Sequence, residues 1–93
     1  MKKRPCVYLS GPITKGDRNE NFAQASKAEA WLMRNRFAPL NPMRSMIVPH
    51  AWDADLPHET WLECDLPWVE KADAVLRLPG ESAGADEECQ HAL

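Results

Sequence analysis

The sequence has no apolar run long enough to cross a membrane or to form the core of a secretion signal. A membrane-spanning helix needs about 20 consecutive apolar residues, and no such run occurs in the chain. The basic cluster at 2–4 precedes only the apolar stretch 6–9 before a Ser-Gly-Pro break, which is too short for a signal peptide. We therefore expect a cytoplasmic protein without a membrane partner.

Cysteine, histidine and basic charge are also scarce or poorly placed. The 3 cysteines are an odd number without a close-spaced pair, and the 3 histidines are scattered, so neither a disulfide framework nor a zinc motif is indicated. We predict no metal ion and no other cofactor. The formal net charge of -3 does not indicate a basic surface that could bind a nucleic-acid backbone. A nucleic-acid polymer is therefore not an expected partner, whereas small-molecule ligands are open.

What is present fits one small domain spanning 1–93. Hydrophobic residues make up 44% of the chain and charged residues 27%, which is ordinary for a globular protein. A domain of this length buries a limited core, and association with a second copy would add apolar burial. We therefore expect a homo-oligomer.

Alternating strand and helix patterns predict an α/β fold. Residues 6–9 form a continuous apolar run, as a strand buried on both faces requires, and the order strand, helix, strand favours a parallel sheet. The predicted strands are 5–9, 37–40 and 74–78, and the predicted helices are 21–36, capped by Asn19 or Asn21, then 58–71 and about 85 to the end. Pro67 is expected to kink or divide the second helix. The segment 43–57 shows no steady period.

Three consecutive carboxylates, 86–88, follow the last predicted strand, at the edge of the sheet where α/β proteins bind ligands. Acidic residues in a first helical turn are stabilised by the helix dipole. With Gly84 as the cap, Glu87 takes the capping-box position. Glu88 lies about 100° further round the helix and could face the strand ends instead. Spacing alone leaves both a capping and a catalytic interpretation open.

Two further side chains are candidates for the same chemistry. Asp65 lies on the second predicted helix between Leu62 and Leu66. A carboxyl group among apolar neighbours has a raised pKa that suits a general acid, whereas on a polar stripe it is simply exposed. Tyr8, the only tyrosine, falls on the same side of the first strand as Ser10. Its phenol either hydrogen-bonds a carboxylate of the neighbouring unit or belongs to the core.

Several short motifs along the chain carry a family resemblance. They are Tyr8-Leu9-Ser10-Gly11-Pro12-Ile13, Asn21-Phe22 opening a helix, Asn41-Pro42, Asp65 with Trp68 and Ala72-Asp73, and Ser82-x-Gly84-x-x-x-Glu88. In this order they resemble the nucleoside 2-deoxyribosyltransferase superfamily, from Val7 to Glu88. That superfamily includes the 2'-deoxynucleoside 5'-monophosphate N-glycosidases and many small phage and bacterial proteins.

The resemblance implies a flavodoxin-like parallel sheet and an enzyme. The family's nucleophilic glutamate stands four residues after the motif glycine, which matches Glu88 and not Glu87. Its helical aspartate, which serves the departing base, matches Asp65, and its active-site tyrosine matches Tyr8. The implied reaction cleaves the N-glycosidic bond of a 2'-deoxynucleoside or its 5'-monophosphate, or transfers the deoxyribosyl group, through a covalent glycosyl-enzyme.

The resemblance also assigns substrate-binding residues and marks where this chain departs from the family. These residues are Ser10, Gly11, Pro12, Ile13, Lys15, Ser82 and Gly84. The resemblance places a 5'-phosphate against the loop 10–16 and the Ser82 hydroxyl. The monophosphate hydrolases carry a serine and an arginine where this chain has Pro12 and Thr14, and Lys15 or Arg18 is the candidate to take over that contact. The chain is also C-terminally short, because the family adds a further strand and residues that complete a neighbouring subunit's site. This makes it either a minimal version or a fragment.

Two other functions are compatible with the same residues. One is a non-catalytic nucleotide-binding or sensing module of the same fold. The other is an interaction protein that uses the region of Trp52, Trp61 and Trp68 as a contact surface. A nucleotide-dependent rise in melting temperature would favour the first over the second, because a ligand that binds the folded state stabilises it.

Overall fold

A parallel β-sheet flanked by helices forms the body of the protein, in a computed structural model that describes residues 3–13, 15–42 and 57–92. The elements are β1 (Cys6–Ser10), α1 (Arg18–Arg34), β2 (Ala38–Leu40), α2 (His58–Lys71), β3 (Ala74–Arg77) and α3 (Ala83–Ala92). In this part of the chain the strand order is β2-β1-β3, and both pairings are parallel. The predicted α/β fold of the flavodoxin or Rossmann type is confirmed. Residues 43–56, which include Trp52, lie outside the described residues.

The central strand β1 is buried on both faces. Val7 and Leu9 pack against Leu32 of α1 on one face. Tyr8 and Ser10, which alternate with them, point to the opposite face and contact Glu88 of α3. The continuous apolar run predicted such a strand, because only a strand covered on both sides needs apolar residues at successive positions. Helices α1 and α3 therefore cover opposite faces of the sheet.

Helix α1 begins three residues earlier than its apolar pattern predicts. Asp17 is its N-cap, and its side chain accepts hydrogen bonds from the backbone N–H groups of Asn19 at 2.8 Å and Glu20 at 3.2 Å. The predicted caps Asn19 and Asn21 are therefore wrong, since both lie inside the helix. The Asn21 side chain instead donates to the backbone carbonyls of Ile13 and Lys15 and anchors the preceding loop.

Helix α2 has the predicted bounds but is not divided at Pro67, which lies inside it. Proline removes one backbone hydrogen bond, while its fixed φ is compatible with a helix. The remaining turns therefore continue on either side.

Among the described helices, none has both the length and the apolarity needed to cross a bilayer.

Helix α3 is capped by a serine rather than by a glycine. The Ser82 hydroxyl accepts a hydrogen bond from the backbone N–H of Ala85 at 3.1 Å, and the Ser82 carbonyl accepts from Asp86 N–H at 3.1 Å. The predicted Gly84 cap and the capping-box role of Glu87 are therefore wrong. The helix begins two residues earlier than predicted, because a serine hydroxyl satisfies a free N–H group and glycine has no side chain to do so.

The loops that follow β1 and β3 pack directly against each other at the carboxyl edge of the sheet. A Cβ added at Gly11 would lie 2.8 Å from Cβ of Leu78. Gly80 has a φ of +119°, and a Cβ added there would lie 2.6 Å from Cγ of Pro12. Arg77 ties the second loop to α3, since its guanidinium donates to the carbonyl oxygens of Leu78 and Gly80 and pairs with Asp86.

We predict that Gly80→Ala lowers the free energy of unfolding by about 2–4 kcal/mol, because the new methyl group meets the Pro12 ring and the backbone keeps a positive φ. Gly16→Ala is the matched control: its φ is +77°, and an added Cβ would have no neighbour within 4 Å. That variant should lose only about 1 kcal/mol. Urea unfolding measures both, and equal losses would show that the contact with Pro12 does not constrain the loop.

Candidate active site

Glu88 is a buried carboxylate held by two hydroxyl groups. It lies on α3 and is 7% exposed. The Tyr8 hydroxyl donates a hydrogen bond to Oε2 at 2.7 Å, and the Ser10 hydroxyl donates to Oε1 at 2.6 Å. Both donors come from β1, where alternation directs residues two apart to the same face. Each carboxylate oxygen therefore has its own donor.

The environment of Tyr8 keeps its phenol protonated. Tyr8 is 1% exposed. Burial raises the pKa of Tyr8 well above its ordinary value, and the negative charge of Glu88 and the hydrogen bond to it raise that pKa further. The phenol therefore remains a hydrogen-bond donor across the physiological pH range. Of the two interpretations of Tyr8, the one in which its phenol hydrogen-bonds a carboxylate is the one observed.

Asp65 of α2 lies in the same cleft as Glu88. Burial raises the pKa of Asp65 to about 6, and the negative charge of Glu88 and hydrogen bonding with it act in the same direction. Hydrogen bonding with Tyr8 lowers this pKa and offsets part of the effect. Asp65 is half-buried, so the interpretation of it as a residue on an exposed polar stripe is wrong. Its carboxyl group exchanges protons close to neutral pH, as a general acid requires.

The cleft lies between the loops at the carboxyl edge of the sheet. Its lining consists of Leu9, Gly11, Pro12, Ile13, Ala25, Asn41, Pro42, Asp65, Leu78 and Glu88. About 20 Å³ of it is open to the centre of a water molecule, which is room for one or two waters. The described walls therefore enclose a narrow cleft in which two carboxyl groups are set among apolar side chains.

The structure separates the predicted substrate-binding residues into three groups. Gly11, Pro12 and Ile13 line the cleft. Ser10 lies beneath it, 1% exposed, with its hydroxyl on Glu88. The remaining three are not among the described residues that line the cleft: Lys15 is exposed on the loop, Ser82 caps α3 and Gly84 lies in the first turn of that helix.

Asn41 is a cleft residue to which the sequence reasoning gave no role. It is buried, and its side-chain amide donates to Oε1 of Glu29 at 3.0 Å. It directly follows β2, and the carboxyl end of a strand beside the central strand is where α/β folds place ligand contacts. Its position after the second predicted strand was the signal that could have identified it.

Comparison of the chain with protein-family models finds no match, and comparison with curated proteins finds none either. The resemblance to the deoxyribosyltransferase superfamily therefore depends on the motifs in the sequence. What those motifs imply about activity is a hypothesis to be judged on the geometry of Glu88, Asp65 and Tyr8.

The raised pKa of Asp65 predicts a pH-dependent contribution to stability. The folded state takes up this proton at about pH 6 and the unfolded chain at its ordinary value near 3.8, so the folded protein binds more protons between these values. Stability should therefore fall as pH rises from 4 to 6. Because Asp65 is half-exposed, we expect on the order of 1 kcal/mol after allowance for solvent screening.

Urea unfolding of Asp65→Asn between pH 4 and pH 7 tests this expectation. The variant should lose this part of the pH dependence, because an amide does not titrate. Glu63→Gln, an exposed carboxylate-to-amide change on the same helix, is the control and should behave as the wild type. An unchanged slope in Asp65→Asn would contradict a raised pKa at this position.

Proposed function

We propose that this protein cleaves the N-glycosidic bond of a 2'-deoxynucleoside or its 5'-monophosphate, as a nucleoside deoxyribosyltransferase or deoxynucleotide N-glycosidase. The observation that carries the proposal is the pairing of a buried, hydrogen-bonded Glu88 with Asp65 in one cleft. Retaining glycosidases use two carboxyl groups in different environments, one as nucleophile and one as acid. The family motifs independently assign the same two residues these roles.

In the first step, a carboxylate oxygen of Glu88 attacks C1' of the deoxyribosyl group. The C1'–O bond to Glu88 forms as the C1'–N bond to the base breaks, through an oxocarbenium-like transition state. Asp65 gives its proton to the departing base, which leaves as a neutral molecule. Tyr8 keeps Glu88 oriented through its hydrogen bond to Oε2. The product of this half-reaction is a glycosyl ester on Glu88 and a deprotonated Asp65.

In the second step, Asp65 acts as a base. It removes a proton from a water molecule, whose oxygen attacks C1' and releases the carboxylate of Glu88. A second nucleobase in place of water would give deoxyribosyl transfer with the same exchange of bonds.

The position of the cleft supports a ligand site of this kind. It opens at the carboxyl ends of β1 and β3, next to the point where the strand order reverses about β1. Open α/β sheets bind ligands at such a point, because the loops on either side diverge there. Pro12 and Ile13 provide apolar surface for the sugar or base. Lys15 on the same loop, or Arg18 at the start of α1, is the predicted contact for a 5'-phosphate.

Substitution of Glu88 tests the nucleophile. We expect Glu88→Gln to lower the rate of base release by about 10³-fold or more, because an amide oxygen does not form the glycosyl ester. Glu87→Gln is the matched control, since its side chain is the adjacent, exposed carboxylate, and it should keep the wild-type rate. Chromatography of free base from the common deoxynucleosides and their monophosphates measures both.

The same assay decides between the proposed enzyme and a binding module. Release of base by the wild type together with loss in Glu88→Gln supports the enzyme. No base from any substrate, or equal rates in both variants, contradicts it. Saturable binding of a nucleotide by calorimetry without any base release would identify the non-catalytic module instead.

The pH dependence of base release tests the acid. We expect kcat/KM to fall as pH rises above about 6, because Asp65 loses the proton that the base requires. Asp65→Asn should lower kcat/KM by about 10²–10⁴-fold and remove this limb of the profile. With an N7-alkylated purine deoxynucleoside, whose base departs without added protonation, Asp65→Asn should lower kcat/KM much less. A variant that keeps the wild-type profile would exclude Asp65 as the acid.

A further inference from the structure

The Ser10 hydroxyl is buried beneath the cleft and faces two acceptors. It lies 2.6 Å from Oε1 of Glu88 and 3.3 Å from the backbone carbonyl oxygen of Ala85. Ser10 is 1% exposed, so its hydroxyl has no open side from which to contact a substrate. Its function must therefore be exerted through Glu88.

We propose that Ser10 is a positioning residue that holds the second oxygen of Glu88 and stabilises this carboxylate when the sugar leaves it. This inference rests on the proposed function, and it replaces the substrate-binding role that the sequence motif implied for Ser10. Tyr8 and Ser10 together fix both oxygens of Glu88 from one strand. Two donors on different oxygens define the plane of the carboxylate, which one donor alone does not.

The two steps of the reaction make opposite demands on this carboxylate. Glu88 loses its negative charge when the glycosyl ester forms and regains it when water or a second base releases the sugar. A hydrogen bond to an ionised oxygen is about twice as strong as one to a neutral oxygen. The Ser10 hydroxyl therefore stabilises Glu88 as the leaving group of the second step.

The Ala85 carbonyl provides a second partner for the same proton. A serine hydroxyl has one proton and rotates freely to the better acceptor, which is the carboxylate while Glu88 is ionised. In the glycosyl ester that oxygen is neutral, and the carbonyl oxygen of Ala85 lies within reach on the same helix. The buried hydroxyl therefore keeps a partner through the cycle, so forming the ester leaves no unsatisfied donor.

Steady-state kinetics and intact-protein mass spectrometry of Ser10→Ala test the proposal. We expect kcat to fall about ten- to a hundredfold, the effect of one lost hydrogen bond to a charged group. KM should fall with it, because slow breakdown of a covalent intermediate lowers both, and kcat/KM should change less than about twofold because Ser10 does not touch the substrate. The glycosyl-enzyme should accumulate during turnover, since its breakdown is the step that loses a stabilised leaving group. Ser10→Cys, which keeps a weak donor, should recover part of kcat.

Ser26→Ala, an exposed serine on α1, is the control and should match the wild type in kcat and adduct level. Urea unfolding of each variant separates loss of fold from loss of rate, and Ser10→Cys tests the role if Ser10→Ala does not fold. An unchanged kcat, or a raised KM at constant kcat, overturns the positioning role while the proposed function stands. Absence of base release by the wild type itself overturns both.

Discussion

Much of this structure follows from the burial of a single carboxylate, Glu88. An ionised group in a protein interior costs several kcal/mol unless hydrogen bonds compensate it. Glu88 is buried against the central strand, and the hydroxyls of Tyr8 and Ser10 each donate a hydrogen bond to one of its two oxygens. Strand β1 must therefore present two polar groups on one face while Val7 and Leu9 pack against α1 on the other. Tyr8, Ser10 and Glu88 therefore form a polar cluster in the interior, on one face of the central strand.

That cluster also sets the proton affinities around it. The negative charge of Glu88 adds to burial in raising the pKa of Asp65 to about 6 and keeps Tyr8 protonated. A carboxyl group that exchanges its proton near neutral pH thus lies beside one that is held by two donors. Glycosidases divide the roles of acid and nucleophile between two carboxyl groups in this way. Charge, burial and position together make this cleft a reactive site in our proposal.

Close backbone packing holds the cleft in place. The loops after β1 and β3 approach so closely that Gly11 and Gly80 have no room for a Cβ against Leu78 and Pro12. This contact fixes the loop that carries the cleft residues relative to the start of α3, which carries Glu88. The Arg77 guanidinium ties the loop after β3 to α3, through hydrogen bonds to the Gly80 carbonyl oxygen and to Asp86. The geometry of the site therefore depends on the loops after β1 and β3, whose backbones constrain each other.

Hydrophobic periodicity reports local structure directly, and it correctly predicted the order of strands and helices along the chain, the burial of β1 and the bounds of α2. It also placed Tyr8 and Ser10 on one side of β1. Tertiary packing was needed to bury Asp65 partly and to bring the Ser10 hydroxyl onto Glu88, whereas the Ser82 cap of α3 is a local contact that the preference of serine for this position makes predictable. Contacts between residues 78 and 80 positions apart depend on how helices pack on the sheet, and no local pattern encodes that.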